Sequence, residues 1–225
     1  DYFKQPNDLM TYINQFYNST FFPFPGTHGG DFDSDLQVGN NINERLKGTR
    51  TVNSSNLSYA NVRKINYFFD NYKKVEENAD FNEYKQYVGV AYYFRAPAFY
   101  RLLQQFGAIQ WVTREINTDS EELYKARDPR NVVADNIIAN LDTAAMYLDD
   151  SKTDGAGRVN KWMALLMQSR IALYEGTWEK YHAGTVFGVS GSSPDKYLNK
   201  CVEAATAIMN SGLYDIYSTG SNQSM

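Results

Sequence analysis

The side chains best suited to chemistry lie early in the chain. DFDSD places carboxylates at Asp31, Asp33 and Asp35, the alternation that opens a calcium-binding loop. An EF-hand then requires glycine at its sixth position for the turn and glutamate at its twelfth to chelate the ion. Leu36 and Ile42 stand there instead. The EF-hand reading fails, and the carboxylates are left to solvent, to hydrogen bonds with a polar ligand, or to calcium outside the EF-hand pattern. Just upstream, FYNSTFFPFPGTHGG (16–30) combines Phe21, Phe22 and Phe24 with two prolines. Such a stiff aromatic lobe either anchors itself against helices or offers a platform for a sugar ring, whose C–H face packs on an aromatic plane.

Other reactive groups are sparse. Cys201 is the single cysteine, and the VEAATAIM that follows reads as helix, so a small buried apolar role is expected rather than a nucleophile. His28 and His182 are far apart, with no metal-ligand spacing. GAGR at 155–158 lacks the Gly-Lys-Ser/Thr ending of a phosphate loop and reads as a turn. Neither G-x-S-x-G nor H-E-x-x-H occurs. With 26 acidic residues some pairing for glycoside hydrolysis is always available, but no particular pair stands out. No cofactor and no metal is expected.

Composition narrows the partners. The 225 residues are 43% hydrophobic and 21% charged, with a formal net charge of −4. A compact body of this length buries roughly 70–75% of its unfolded surface, so it needs neither disulfide nor metal to hold it. Mild acidity provides no basic stripe for nucleic acid and no polybasic patch for anionic lipid. Tyrosines outnumber tryptophans 18 to 3, which suits half-buried helix edges and binding grooves. No signal peptide and no apolar run of about 18 residues occurs. The chain opens at Asp1 rather than Met, which reads as a processed or trimmed start.

The elements that must position these residues are helical, because apolar periodicity near 3.6 dominates and strand alternation is scarce. Asn7-Asp8 is a candidate cap for a first helix carrying Leu9, Ile13, Phe16 and Tyr17. Residues 18–56 lose the pattern, are rich in Gly, Asn, Asp, Ser and Pro, and exceed an ordinary connection. Helix resumes near Leu57, with Tyr59, Val62, Ile65, Asn66 and Phe69 on one face. A long helix is expected from Phe81 to Phe106, closed by Gly107 as a left-handed cap. It carries one stripe through Tyr87, Ala91, Phe94, Ala98 and Leu102 and a second through Tyr92, Ala96, Phe99, Leu103 and Phe106, so it belongs between two layers. Pro129 opens the next helix, Asn160 caps another that Gly176 is expected to end, and Tyr197–Asn210 forms the last. STGSNQSM has the composition of a flexible tail. About five or six helices result, mostly paired, the last ones starting roughly 30 to 35 residues apart, near the tetratricopeptide period.

Five stretches then carry a resemblance. YYFRAPAFYRLLQQFGAIQWV resembles a family helix with Phe-Arg-Ala followed by Phe-Gly-Asp-Val-Pro. ARDPRNVVADNIIANLDTAAMYL, GRVNKWMALLMQSRIALYEGTW and AATAIMNSGLY resemble its later elements, and VRKINYFFDN stands in the place of Ile-Arg-x-x-Asn-x-Phe-Leu. In this order they resemble the SusD/RagB family of surface nutrient-binding lipoproteins of Bacteroidetes, over most of 57–217. The departures are Ala108-Ile109-Gln110 after Gly107, the unusual Pro97, and Ser55 near the place of a common tryptophan.

The resemblance implies an all-α fold of tetratricopeptide-like helix pairs with long irregular loops. It implies non-catalytic binding of a glycan, a lipid anchor in the outer membrane lying outside this chain, and delivery to a SusC-like TonB-dependent transporter. Because family members are about twice as long, it also implies that 1–225 is an N-terminal portion of a SusD-like helical domain: 18–56 a long loop region, 57–217 the helical scaffold, 218–225 a flexible tail. The ligand candidates it carries over are Asp33, Asp35, Arg45 and Arg50 in the early loop. Arg95, Arg158 and Arg170 fall within motifs, which implies scaffold roles. Arg95, in a helix packed on both sides, is expected to meet carbonyl or carboxylate groups, and Pro97 to forfeit one helical hydrogen bond. Rival readings are a peptide-binding member of the family, a helical-repeat module for a protein segment, and an all-α glycoside hydrolase.

Overall fold

The computed structural model describes residues 2–17, 34, 36–54, 57–151, 157–191 and 193–215. Asp31, Asp33, Asp35, the Phe21–Phe24 lobe and the tail 218–225 lie outside them.

Seven α-helices run through the described residues: α1 Pro6–Ile13, α2 Glu44–Lys47, α3 Ala60–Asn71, α4 Phe81–Phe106, α5 Arg130–Tyr147, α6 Lys161–Tyr181 and α7 Pro194–Asn210. They include no strand, and an isolated bridge pairs Ile109 with Asp128. α4 packs against α1 and α3 as well as α5, and α6 packs against both α5 and α7. The architecture is the all-α, helix-pair type expected.

The long helix behaves as its two stripes require. Fourteen of its 26 residues are buried, including Ala91, Phe94, Ala98 and Leu102 of one stripe and Ala96, Phe99 and Leu103 of the other. A capping box starts it: the Asp80 backbone N–H donates to the Glu83 carboxylate at 2.8 Å, while the Asp80 side chain accepts from the Glu83 amide. Gly107 closes it at φ 69° and ψ −111°, a positive-φ turn but not the left-handed helical cap expected. Helix–helix approach is closest where Cβ atoms are missing. A methyl on Gly89 would meet the Leu148 side chain at 3.0 Å, so this glycine admits α5 against α4.

Several boundaries differ from the expectation. α1 starts at Pro6 after Gln5, with Asp8 completing a capping box instead of acting as the cap. The 18–56 stretch is not wholly irregular, because Asn43 caps the one-turn α2 by accepting from the Arg45 amide at 2.8 Å. Gly176 does not end α6, which continues to Tyr181. A Cβ there would lie 2.8 Å from Leu198, so the glycine serves the α6–α7 contact. Asn160 caps α6 as predicted, accepting from the Met163 amide at 3.0 Å. Cys201 is only partly buried, in α7 with its sulfur 3.4 Å from the Ser169 hydroxyl.

Candidate functional site

The described part of the predicted ligand loop leads directly into α3, whose outer flank builds a groove. Tyr59, Arg63, Asn66 and Asp70 recur at helical spacing and all grip the segment that follows α4. The Tyr59 hydroxyl donates to the Gln110 carbonyl at 3.1 Å and accepts from the Gln110 amide at 2.9 Å. Asn66 Nδ2 donates to the carbonyls of Val112 and Arg114 at 2.9 and 3.0 Å. Asp70 accepts the Glu115 amide at 2.7 Å, and the Arg63 guanidinium pairs with Glu115 at 3.0 Å. One helix face therefore replaces the strand partners that an extended segment needs for its backbone.

Between this strap and α3 lies a groove of about 360 Å³. Val62, Val112, Ile116 and Leu123 give it apolar walls, while Arg63, Gln110 and Arg114 add polar groups. Burial pushes the Tyr59 hydroxyl above its ordinary pKa, so it stays protonated and keeps its donor. At the Asn66 position both amide hydrogens are committed, yet Oδ1 is buried without a hydrogen-bond partner. A buried unpaired acceptor is costly, and Asn66 accepts that cost in return for holding two strap carbonyls. Apolar walls with guanidinium and amide groups offer apolar packing and hydrogen bonding.

Of the four predicted ligand residues, Asp33 and Asp35 lie outside the described residues. Arg45, in α2, and Arg50, just beyond it, are both exposed. Neither lines the α3 groove. Phe16, which precedes the aromatic lobe, is fully buried and serves as core. Among the described residues no group of three or more His, Cys, Asp or Glu is placed to hold a metal ion.

The motif arginines divide. Arg158 is structural, its guanidinium donating to Asn14 Oδ1 at 2.5 Å and lying 4.6 Å over the Tyr17 ring. Arg95 is also structural but not through the groups expected. Its guanidinium lies 4.5 Å over Phe69 and 5.5 Å from the Trp111 ring, and Nε has no hydrogen-bond partner. Burial lowers its pKa to about 10, which leaves it charged at neutral pH. Flat aromatic faces substitute for a carboxylate because their π-electron quadrupole attracts a cation. Arg170 is exposed on α6 and makes no ion pair among the described residues, but its charge acts on the hydroxyls of the buried Tyr93 and of Tyr100.

Sequence reading overlooked a buried charge cluster. Arg130 Nε and Nη2 fork onto Glu175 at 2.9 and 2.7 Å, with both residues almost fully buried. The same guanidinium lies 4.2 Å over the Trp178 ring. Glu179, one turn beyond Glu175 and 1% exposed, has its pKa raised to about 7 by burial and by the neighbouring carboxylate. Burial also pushes Glu175 upward, against the pull of Arg130. The two carboxyls resemble an acid–base pair, but they are sealed from solvent and tied to the α5–α6 contact.

The comparisons with known proteins bear on this geometry. A family model described as SusD-like, starch-binding associating with outer membrane, matches residues 24–173. The chain belongs to the SusD-like family. A solved structure titled as a complex with xylogluco-oligosaccharide superposes on 93% of the chain, with a TM-score of 0.66 and 17% identity. A SusD-like protein from Bacteroides fragilis covers 70% at a TM-score of 0.55 and 18% identity. The SusD-like chain spans 41% and 26% of those two structures. At these identities the likeness establishes the fold. No curated protein matches the sequence. The family description associates its members with the outer membrane and with starch binding. Among the described residues no helix is long and apolar enough to cross a membrane.

Proposed function

We propose that this SusD-like chain belongs to a surface-exposed lipoprotein that binds nutrient glycans without cleaving them. The bound glycan is passed to a SusC-like TonB-dependent transporter. The family match supports the class of ligand and the outer-membrane setting. The observation that carries the reading is the α3 groove, apolar-walled and edged by the polar side chains of Arg63, Gln110 and Arg114. Sugar C–H faces pack on its walls, and hydroxyls hydrogen-bond with Arg63, Gln110 and Arg114.

The loop leading into α3 supplies the outer contacts. Arg45 and Arg50 present guanidinium forks to adjacent hydroxyls, a planar donor pair matched to vicinal oxygens. Asp33 and Asp35 accept from further hydroxyls. A site open to water on one side binds modestly, because every hydroxyl captured was already solvated.

Isothermal titration with xylogluco-oligosaccharide and maltoheptaose tests this, combined with an assay for new reducing ends. The expected result is saturable binding of a neutral oligosaccharide without turnover, weakened severalfold in an Arg45→Ala, Arg50→Ala double variant. Release of reducing ends, or binding of peptides with none of any glycan, overturns it.

A further inference from the structure

The walls of the α3 groove specify more than a bare sugar ring. Val62 lines it from α3, Val112 and Ile116 from the strap, and Leu123 from the 3-10 turn Glu121–Tyr124. Among the described lining residues Tyr59 is the single aromatic. Its hydroxyl is spent on the Gln110 backbone, and its ring meets Phe99 edge to face at 6.4 Å. Branched aliphatic side chains leave hollows rather than a plane, and a small alkyl group fills such hollows with contact on several sides. The rim adds a second constraint. Arg63 is held through Nε by Glu115 at 3.0 Å, Arg114 pairs through Nη2 with Glu122, and Gln110 Nε2 donates to the Lys125 carbonyl. Each guanidinium is thus matched by a carboxylate, yet it carries five N–H donors and keeps others to offer. A rim of donors without surplus positive charge favours a neutral carbonyl over an anion, which the two carboxylates repel.

We infer that the α3 groove selects acylated saccharides, with the acyl methyl against Val112, Ile116 and Leu123 and the acyl carbonyl accepting from Arg63 or Arg114. An acetyl group unites the two features of the groove, an alkyl end for the walls and a neutral acceptor beside it for the rim. A bare hydroxyl lacks the alkyl end, and a carboxylate or sulfate brings a charge that the paired rim does not compensate. At about 360 Å³ the groove lies near the small end of ligand sites, roughly 300–1,000 Å³, which suits one substituted ring rather than a length of chain. The inference rests on the glycan-binding reading above and names its substrate class.

The probes are matched neutral pairs. One is O-acetylated xylo-oligosaccharide with the same sample after alkaline de-esterification. The other is tri-N-acetylchitotriose with cellotriose, in which hydroxyls replace the acetamides. Each is titrated calorimetrically into the parent chain and into Leu123→Gln, an exposed position, with thermal melts to check that the substitution leaves the fold intact. The expected result is that at least one acylated probe binds at least about fivefold tighter than its partner, and that Leu123→Gln cuts this ratio at least about threefold. In methyl-labelled parent chain, the acetyl protons should give intermolecular NOEs to the Ile116 and Leu123 methyls. Equal affinities within both pairs overturn the inference and leave the glycan reading standing. So does a preference that survives Leu123→Gln with no NOE to those methyls, because the acyl group is then bound elsewhere. Absence of binding by every sugar removes the glycan reading as well, and binding of a neutral apolar tripeptide amide in its place assigns the groove to peptides.

Discussion

Replacing Glu179 with glutamine should make the protein more stable at alkaline pH and flatten its dependence on pH. Glu179 is 1% exposed, and the Glu175 carboxylate lies beside it. The groups facing it are Glu175 on its own helix and, from α5, Arg130 and Asp135. Asp135 is itself engaged by Lys196 and by the Tyr197 hydroxyl of α7. Arg130 forks onto Glu175 and favours its charge, so the proton resides on Glu179, whose pKa rises from 4.5 to about 7. A carboxyl with a raised folded pKa binds its proton more tightly in the native state. Its contribution is therefore most favourable below about pH 4.5 and is lost as pH climbs through 7. With about 1.4 kcal/mol for each pKa unit, the loss reaches about 3 kcal/mol above pH 8. Glutamine keeps the shape and cannot ionise. Urea unfolding of parent and Glu179→Gln at pH 5 and pH 8 is the assay. The variant should gain about 2–3 kcal/mol at pH 8 relative to its difference at pH 5, or roughly 5–10 °C in Tm. Parallel pH profiles for the two proteins would refute the assignment of the proton.

Two further substitutions probe the scaffold. Asn66→Leu removes the amide that satisfies the Val112 and Arg114 carbonyls, leaving buried acceptors unpaired. It should cost about 2–4 kcal/mol, with amides of the 110–116 strap exchanging faster while those of α6 keep their protection. Gly176→Ala places a methyl 2.8 Å from Leu198 and should lower stability by about 1–3 kcal/mol in a thermal melt. Gly89→Ala, whose nearest contact is 3.0 Å, should cost less in the same measurement.

Much of the fold was legible because its signals are local. The two stripes of α4 follow from backbone geometry alone, since residues three and four apart share a face whatever packs against them. The Asn160 cap is similarly a contact within one turn. Glycine was less readable. At Gly107 it accommodates a positive φ, while at Gly176 it makes room for Leu198, and nothing in the flanking sequence separates the two uses. The α3 groove was partly visible, in that Tyr59 and Asn66 were placed on one helix face. That this face would bind a strap more than forty residues away was not.

The chain by itself determined the helices, their order and the family, because periodicity, caps and motif succession are properties of neighbouring residues. Tertiary structure decided what the charges do. Arg95 meets two aromatic rings, Arg130 finds Glu175 across the α5–α6 contact, and Arg170 turns outward into a groove. All three arginines sit in comparable helical settings, and an arginine's role depends on which surface it meets. Solvation, an ion pair and an aromatic face each compensate its charge at a different cost, and only the packing of distant helices selects among them.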